Sequence, residues 1–344
     1  MNMSLSIWLV ILGSLSNLQF FQHPKPKVIK AEFIFEEAPF KACHASTIVE
    51  LEDGKIMSAW FGGTNEGAAD VKIWSSVRDE KSWSKPKVIA TGKENGKPSP
   101  CWNPVLFMTK AGLLMLFYKV GPNPRAWWGE MKTSKDNGKT WSEAVRLPAG
   151  FYGPIKNKPI QMENGEILYG SSTESLDEKT WNIHVEKSNS EGTDFKKIKI
   201  DNGVYGVIQP SILKYDDGSL QLLCRSRQNV IVSTWSKDNG ATWQPLKALD
   251  LPNPNSGTDA VSLANGKQLL VYNPLTAGKN WWEGRSVLKL ASSDNGIDWK
   301  DIYKLEEHQK GEYSYPAIIQ SSDGHVHITY TSERKKIKYI KLTL

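Results

Sequence analysis

The chain has 344 residues, with 43 Lys or Arg against 37 Asp or Glu, a formal net charge of +6, 39% hydrophobic and 23% charged residues. These proportions exclude a disordered or collagen-like chain and suit a globular one. Basic residues alternate with acidic ones and form no block that would track a nucleic-acid backbone, so nucleic acid is not an expected partner.

The first element in chain order is the apolar run from Leu5 to Leu15. It has about the length of a signal-peptide core and falls short of the roughly 20 residues that span a bilayer. It predicts export to the periplasm or the medium, with 1–22 as signal peptide and 23–344 as one catalytic domain. A buried first strand is the alternative. No later run approaches membrane length. Cys43, Cys101 and Cys224 read as buried thiols, with Cys43 and Cys101 the one pair that could bond, since they occupy similar positions in successive repeats. No Cys/His cluster has zinc spacing and no phosphate loop appears, so neither a metal nor a cofactor is expected.

From about residue 27 onward the chain is a repeat. Ser134-Lys-Asp136-Asn-Gly138-Lys-Thr140-Trp141 recurs as Ser236-Lys-Asp238-Asn-Gly240-Ala-Thr242-Trp243 and as Ser292-Ser-Asp294-Asn-Gly296-Ile-Asp298-Trp299. Worn copies run from Ser76 to Trp83 and from Ser188 to Phe195, so closing aromatics fall at intervals of 58, 54, 48 and 56 residues. In each box the Asp is expected to cap a hairpin turn, the Gly to take a positive φ, and the Trp to pack between sheets. The role is structural. A second set of turns ends in Gly54, Gly112, Gly165, Gly218, Gly266 and Gly324, mostly as Asp-Gly or Asn-Gly, the strongest short hairpin signals. Two hairpins per unit and six units predict an all-β, six-bladed β-propeller of four-stranded antiparallel blades. The last unit has only three strands of its own, 313–320, 325–331 and 336–342, so the strand Val28–Phe35 is expected to close the ring. Such propellers are commonly monomers, and a monomer is expected.

Innermost strands of a propeller converge on its axis. Aligned by distance to the Gly turns, their starts supply His44, Asn103, Lys158, Gln209, Asp259, and Tyr313 with Tyr315. Polar side chains converging from distant sequence are the layout of an active cleft. Loops after the second strands add Asp70, Arg125 with Trp127 and Trp128, Arg225 with Arg227, and Trp281 and Trp282 with Arg285. Paired Trp and Arg suit a sugar ring bearing a carboxylate: the aromatic face stacks on C–H groups, and guanidinium forks hold carboxylate oxygens. Packing between blades is the competing use of any single Trp.

The boxes, the six units and several of these mouth residues resemble the sialidase (neuraminidase) superfamily of six-bladed propellers over nearly the whole mature chain. The resemblance implies that Asp70, in Ala69-Asp70-Val71-Lys-Ile73, sits at the acid/base position. It implies that Arg225, in Asp217-Gly218-Ser-Leu220-Gln-Leu222-Leu-Cys-Arg225, and Arg285 bind a carboxylate. Tyr313, before Ser314, resembles the nucleophilic Tyr, with Tyr315 a competing alignment. Two positions depart: the family's first Arg is His44, and the Glu that would activate the Tyr is Gln209. Gln cannot take a proton, whereas His titrates near neutrality and makes a good base.

Three readings follow, all with an acidic oligosaccharide at the mouth. In the favoured one the terminal sugar is a uronic acid whose carboxylate is neutralised by Arg225 and Arg285. His44 or a Tyr removes the proton at C5, and Tyr313 or Asp70 protonates the group leaving C4, in a lyase or dehydratase reaction. In the second, the enzyme is an exo-glycosidase of sialidase type. In the third, the propeller only binds glycans.

Overall fold

The computed structural model describes residues 26–280 and 282–344; the expected signal peptide lies outside them. Six antiparallel sheets succeed one another along the chain and form the six blades of a propeller. Blade 1 holds the strands Ala42–Glu50, Ile56–Gly63, Lys72–Arg78 and Lys87–Glu94, and against the expectation of four strands a fifth, Lys97–Ser99, pairs on its outer edge. The other five sheets have four strands each. The strand Lys27–Phe33 pairs with Lys336–Thr343, Ala31 opposite Ile340, so the first strand among the described residues completes the sheet of the last three. That closure gives two sheet edges a partner. Among the described residues no helix is long and apolar enough to cross a membrane.

Second strands are buried on both faces, as in Leu114–Val120 and Leu220–Ser226. The apolar runs therefore meet neighbouring blades on either side. One cluster joins Met57, Ala59 and Ile73 of blade 1 to Leu106, Leu114 and Leu116 of blade 2, with Trp141 packed against it. Each such buried Leu or Ile contributes about 1.5–3 kcal/mol relative to leaving it in water. Cys43, Cys101 and Cys224 are all buried and free, which corrects the possible Cys43–Cys101 bond; burial raises all three thiols and makes them inert.

The boxes close turns as the sequence implies. Asp136 accepts from the Thr140 amide at 2.9 Å, the Thr140 hydroxyl at 2.6 Å and the Ser134 hydroxyl at 2.8 Å, while Gly138 takes φ +77°. Asp238 repeats the pattern on Thr242 and Ser236. The third box is one residue out of step. Its cap is Asn295, accepting from the amides of Ile297 and Asp298 at 2.9 Å each, and the expected Asp294 turns outward to Lys267 at 2.7 Å. The Asn amide oxygen does the same work without a charge, which frees the neighbouring Asp for an ion pair.

Hydrogen bonds from Thr140 and Ser134 hold the Asp136 carboxyl down at about 2. A group depressed by folding stabilises above its unfolded value, near 3.9, and loses that contribution as pH falls through the folded value. Asp136→Ala should therefore melt below the wild type at pH 7, with the gap narrowing below about pH 4 and closing near pH 2. Calorimetric melting across that range checks it.

Candidate active site

Four inner strands carry the same local irregularity. Register slips by one residue between His44 and Thr47, Trp102 and Val105, Ile208 and Ser211, and Ser314 and Ala317. In each bulge one non-Gly residue has positive φ: Ala45 at 55°, Asn103 at 36°, Gln209 at 56° and Tyr315 at 53°. The last three precede Pro104, Pro210 and Pro316. A following Pro disfavours the right-handed helical region for the residue before it, and the extra bulge residue, left out of the ladder, has its side chain re-aimed. Left-handed non-Gly residues cost about 1–3 kcal/mol each, and the surrounding fold must over-determine them.

Tyr315 is the centre of what these bulges assemble. Its ring lies 4.1 Å from that of His44, centre to centre, and its hydroxyl accepts from Arg225 Nη1 at 2.6 Å. Lys156 Nζ lies 5.8 Å and Arg285 Cζ 6.0 Å from the ring centre. Arg225 also donates to Gln209 Oε1 at 3.3 Å and, through Nε, to Asn255 Oδ1 at 2.9 Å, and its Nη2 bonds the Asn255 carbonyl. Four of its five N–H groups are thus committed within the protein.

His44 is 2% exposed, and neither ring nitrogen has a hydrogen-bond partner. Burial pushes its imidazole well below the ordinary range. Arg334, Arg285 and Lys156 press the same way, and Glu312 opposes them. At neutral pH the ring is uncharged and able to accept a proton. Glu312 balances the cations: one oxygen accepts from Arg285 at 3.0 Å and the other from Arg334 Nε at 2.7 Å. Burial alone would raise this carboxyl; the cationic form of His44, with Arg334 and Arg285, overrides it and brings Glu312 down to about 2.

Asp70 stands on the loop after Ile56–Gly63, exposed, accepting from the Thr64 amide and, at 2.7 Å, from the Thr64 hydroxyl. Those bonds hold its carboxyl below the usual range, led by the hydroxyl. Other expected site residues engage other partners. Tyr313 stacks on His308 at 4.3 Å, and burial with nearby Glu333 raises its phenol. Lys158 donates to Asp259 at 2.9 Å and to the Ala260 carbonyl, an ion pair tying blades 3 and 5 at the axis. Asn103 occupies its bulge in blade 2, buried. Trp127 packs against Trp102 and Ile155, and Trp128 donates to Glu130 with Arg146 above its ring at 4.3 Å, so both serve packing. Arg227 covers the ring of Trp181 at 4.1 Å and bonds the carbonyls of Glu178 and Lys179. Trp282 is 53% exposed; Trp281 lies outside the described residues. Among the described residues no group of three or more His, Cys, Asp or Glu could hold a metal ion.

Sequence reasoning missed Lys156, Arg334, Glu312, Asn255 and Trp181. Arg334 was reachable by the rule that loops after second strands face the mouth, since it sits in the last of them, between Val326–Ser332 and Lys336–Thr343. Lys156 stands nine residues before Gly165, the distance that separates Asn103, Gln209 and Tyr315 from Gly112, Gly218 and Gly324, so strict use of the spacing finds it; Lys158, seven residues before its turn, is a different position.

Lys156 is 3% exposed and donates to Asn157 Oδ1 at 2.8 Å, the Thr258 carbonyl at 3.1 Å and the Pro316 carbonyl at 2.6 Å. It ties the residue after Tyr315 to blades 3 and 5. Burial brings its ammonium down to about 7. Between pH 7 and roughly 10 the unfolded chain therefore binds the extra proton, and stability rises with pH in that window. Lys156→Met should flatten part of this rise and, by orphaning buried acceptors, destabilise the protein by about 1–3 kcal/mol; urea unfolding at pH 7 and pH 9.5 measures both effects.

A family model described as a BNR repeat-like domain matches residues 54–328. An anhydrosialidase of the leech Macrobdella decora is 25% identical over 225 residues, covering 58% of this chain and 29% of that protein, so the chain spans less than a third of that relative. A protein of unknown function from Dyadobacter fermentans superposes with a TM-score of 0.75 at 15% identity, over 94% of this chain and 100% of that one. The NanB sialidase of Streptococcus pneumoniae superposes with a TM-score of 0.70 at 14% identity, over 91% of this chain and 70% of that one. With its repeats, its six blades and its matching family model, the chain belongs to the BNR-repeat family, within the sialidase superfamily of six-bladed β-propellers.

Proposed function

We propose that this propeller is a carbohydrate-active enzyme that acts on the terminal acidic sugar of an oligosaccharide, a uronic acid, by β-elimination. One observation carries the reading: an uncharged, unpartnered His44 lies in ring contact with Tyr315, whose hydroxyl is held by Arg225. The side chain that shares Arg225 Nη1 with Tyr315 is the amide of Gln209, which cannot accept a proton from the phenol. A base and an acid side by side suit proton transfers at adjacent carbons.

The reaction balances without a co-reactant. Arg285 and the remaining N–H of Arg225 hold the sugar carboxylate and stabilise the charge it gains as the C5 proton leaves; one such donor is worth on the order of 3 kcal/mol in the transition state. His44 accepts that proton. The C5–H electron pair becomes the C4–C5 double bond, the C4–O bond breaks, and Tyr315 gives its proton to the departing oxygen. The Arg225 N–H on the phenol oxygen stabilises the charge left there. Where the departing oxygen belongs to a second sugar the reaction is a lyase step; where it leaves as water, a dehydration. Export of the enzyme to the periplasm or medium belongs to the same proposal.

Hydrolysis of sialidase type is the second reading, favoured by the position of Asp70 at the mouth and by the leech anhydrosialidase among the relatives. Against it stands the hydrogen bonding of Asp70, which keeps the carboxylate ionised at neutral pH, whereas an acid catalyst must be protonated.

Incubation with uronate- and sialate-terminated oligosaccharides, read by product mass and ultraviolet absorbance, separates the two. Elimination gives a conjugated, unsaturated uronate. Release of an acidic sugar with water added and no new absorbance would rule elimination out. Tyr315→Phe and His44→Ala should each lower kcat by about 10²–10⁴, the usual contribution of a positioned acid or base, with melting temperature little changed for Tyr315→Phe.

A further inference from the structure

Beside His44 the mouth opens into a cavity of 270 Å³. Its apolar wall is Phe61, Val71 and Cys43, and its polar groups are His44, Asn65, Glu66 and Arg334. Two features point to a ligand. His44, nine-tenths buried, lines the cavity with both ring nitrogens unpartnered. Arg334 is held by two carboxylates of different kind: Glu312, well buried and shared with Arg285, and Glu66, on the loop that also carries Asp70. Glu66 keeps 39% of its side-chain surface in water. It comes from blade 1 and Arg334 from blade 6, so this one ion pair bridges the cavity from wall to wall.

We propose that the cavity is a subsite for the carboxylate end of a sugar acid, and that Glu66 stands on Arg334 in the ligand's place until the ligand's carboxylate displaces it. The inference rests on the reading that the mouth takes a sugar acid and adds where that acid is read. Exchanging one carboxylate for another leaves Arg334, 30% exposed, paired with a carboxylate throughout. Arg225, with four N–H groups already committed, adds one N–H beside Arg285 for that carboxylate but cannot offer it an unoccupied fork. Arg334 can, once Glu66 leaves. The neutral His44 nitrogen then faces the bound sugar, whose C–H face lies against Phe61 and Val71. A neutral sugar gains nothing from the exchange, because it cannot replace the Glu66 charge. Glu66 is thereby a specificity-determining residue.

Titration calorimetry of the full chain with D-glucuronate, and with D-glucose as its uncharged counterpart, tests the proposal. Glu66→Gln removes the competitor and should bind glucuronate roughly two- to five-fold more tightly than wild type, the size expected of a partly exposed ion pair. Glucose binding should not change, the gain should shrink at high salt, and adding Arg334→Gln should abolish it. Equal or weaker glucuronate binding by Glu66→Gln overturns the proposal, and so does an equal gain for glucose, which would mean the loop merely opens. If the gain is absent while Arg225→Met still abolishes glucuronate binding, the exchange fails and the sugar-acid reading survives. A gain in binding with no turnover of any uronate would sink the elimination reading and leave the exchange standing. No glucuronate binding by any of these proteins overturns the proposal outright.

Discussion

The mouth of this propeller depends on a backbone constraint, the left-handed residue at the bulge of an inner strand. In a regular strand, Tyr315 would project across one face of its sheet and pack between blades. With φ at 53° and Pro316 behind it, it leaves the ladder and lies against His44 and Arg225. A conformation that costs about 1–3 kcal/mol has to be held by its surroundings. Lys156 supplies part of that hold, bonding the Pro316 carbonyl from the far side of the axis, and Arg225 supplies another part from blade 4. Three blades therefore fix one side chain. Placement of this kind survives in a propeller because each blade is already rigid from sheet-to-sheet packing.

Charge follows from that placement. Arg225, Arg285, Arg334 and Lys156 surround a small volume, and a cluster of like charges in a buried site is unfavourable unless countered. Glu312 is the resident counter-charge, with Glu66 beside it on the solvent side. Burial first, then Arg334, Arg285 and Lys156 acting on a ring already stripped of water, keep His44 neutral. Surplus positive charge beside an uncharged base suits the proposed acidic sugar and the removal of a proton from it.

The fold was largely legible in the sequence, because hairpin turns and boxes are local chemistry. Asp136 and Gly138 act within the seven residues from Ser134 to Thr140, and their signal does not depend on the rest of the chain. The ring closure was legible from a shortage of strands in the last unit. Even here the third box misled, since Asn295 can replace Asp294 by a shift of one position with no change in composition. The site was legible in part. Arg225, Arg285, His44, Gln209 and Tyr315 all come from chain segments that the repeat brings to the axis, and repeat alignment finds them. What alignment could not supply is the direction of a side chain at a bulge. Tyr313 and Tyr315 are two residues apart and would share a face of a regular strand; the slipped register between Ser314 and Ala317 sends them to different environments. Trp127 and Trp128 were drawn to the mouth by composition and are held by packing and by Glu130 instead.

The choice between the two chemistries turns on where a proton can reside. A glycosidase of the sialidase kind needs an acid that is protonated and a phenol whose proton has a carboxylate to go to. Asp70, bonded twice by Thr64, is held as the carboxylate, and the group at 209 that shares Arg225 with Tyr315 is an amide. Elimination needs neither feature. It needs a neutral base near an acidified C–H, and an O–H donor one carbon away that can bear charge afterwards. His44 meets the first condition by burial, and Tyr315 meets the second through the guanidinium on its oxygen. Replacing Arg by His at one position and Glu by Gln at another changes the proton inventory of the mouth while leaving the propeller unchanged. Under the proposed elimination, two such exchanges on an unchanged scaffold are what separate this mouth from a glycosidase's.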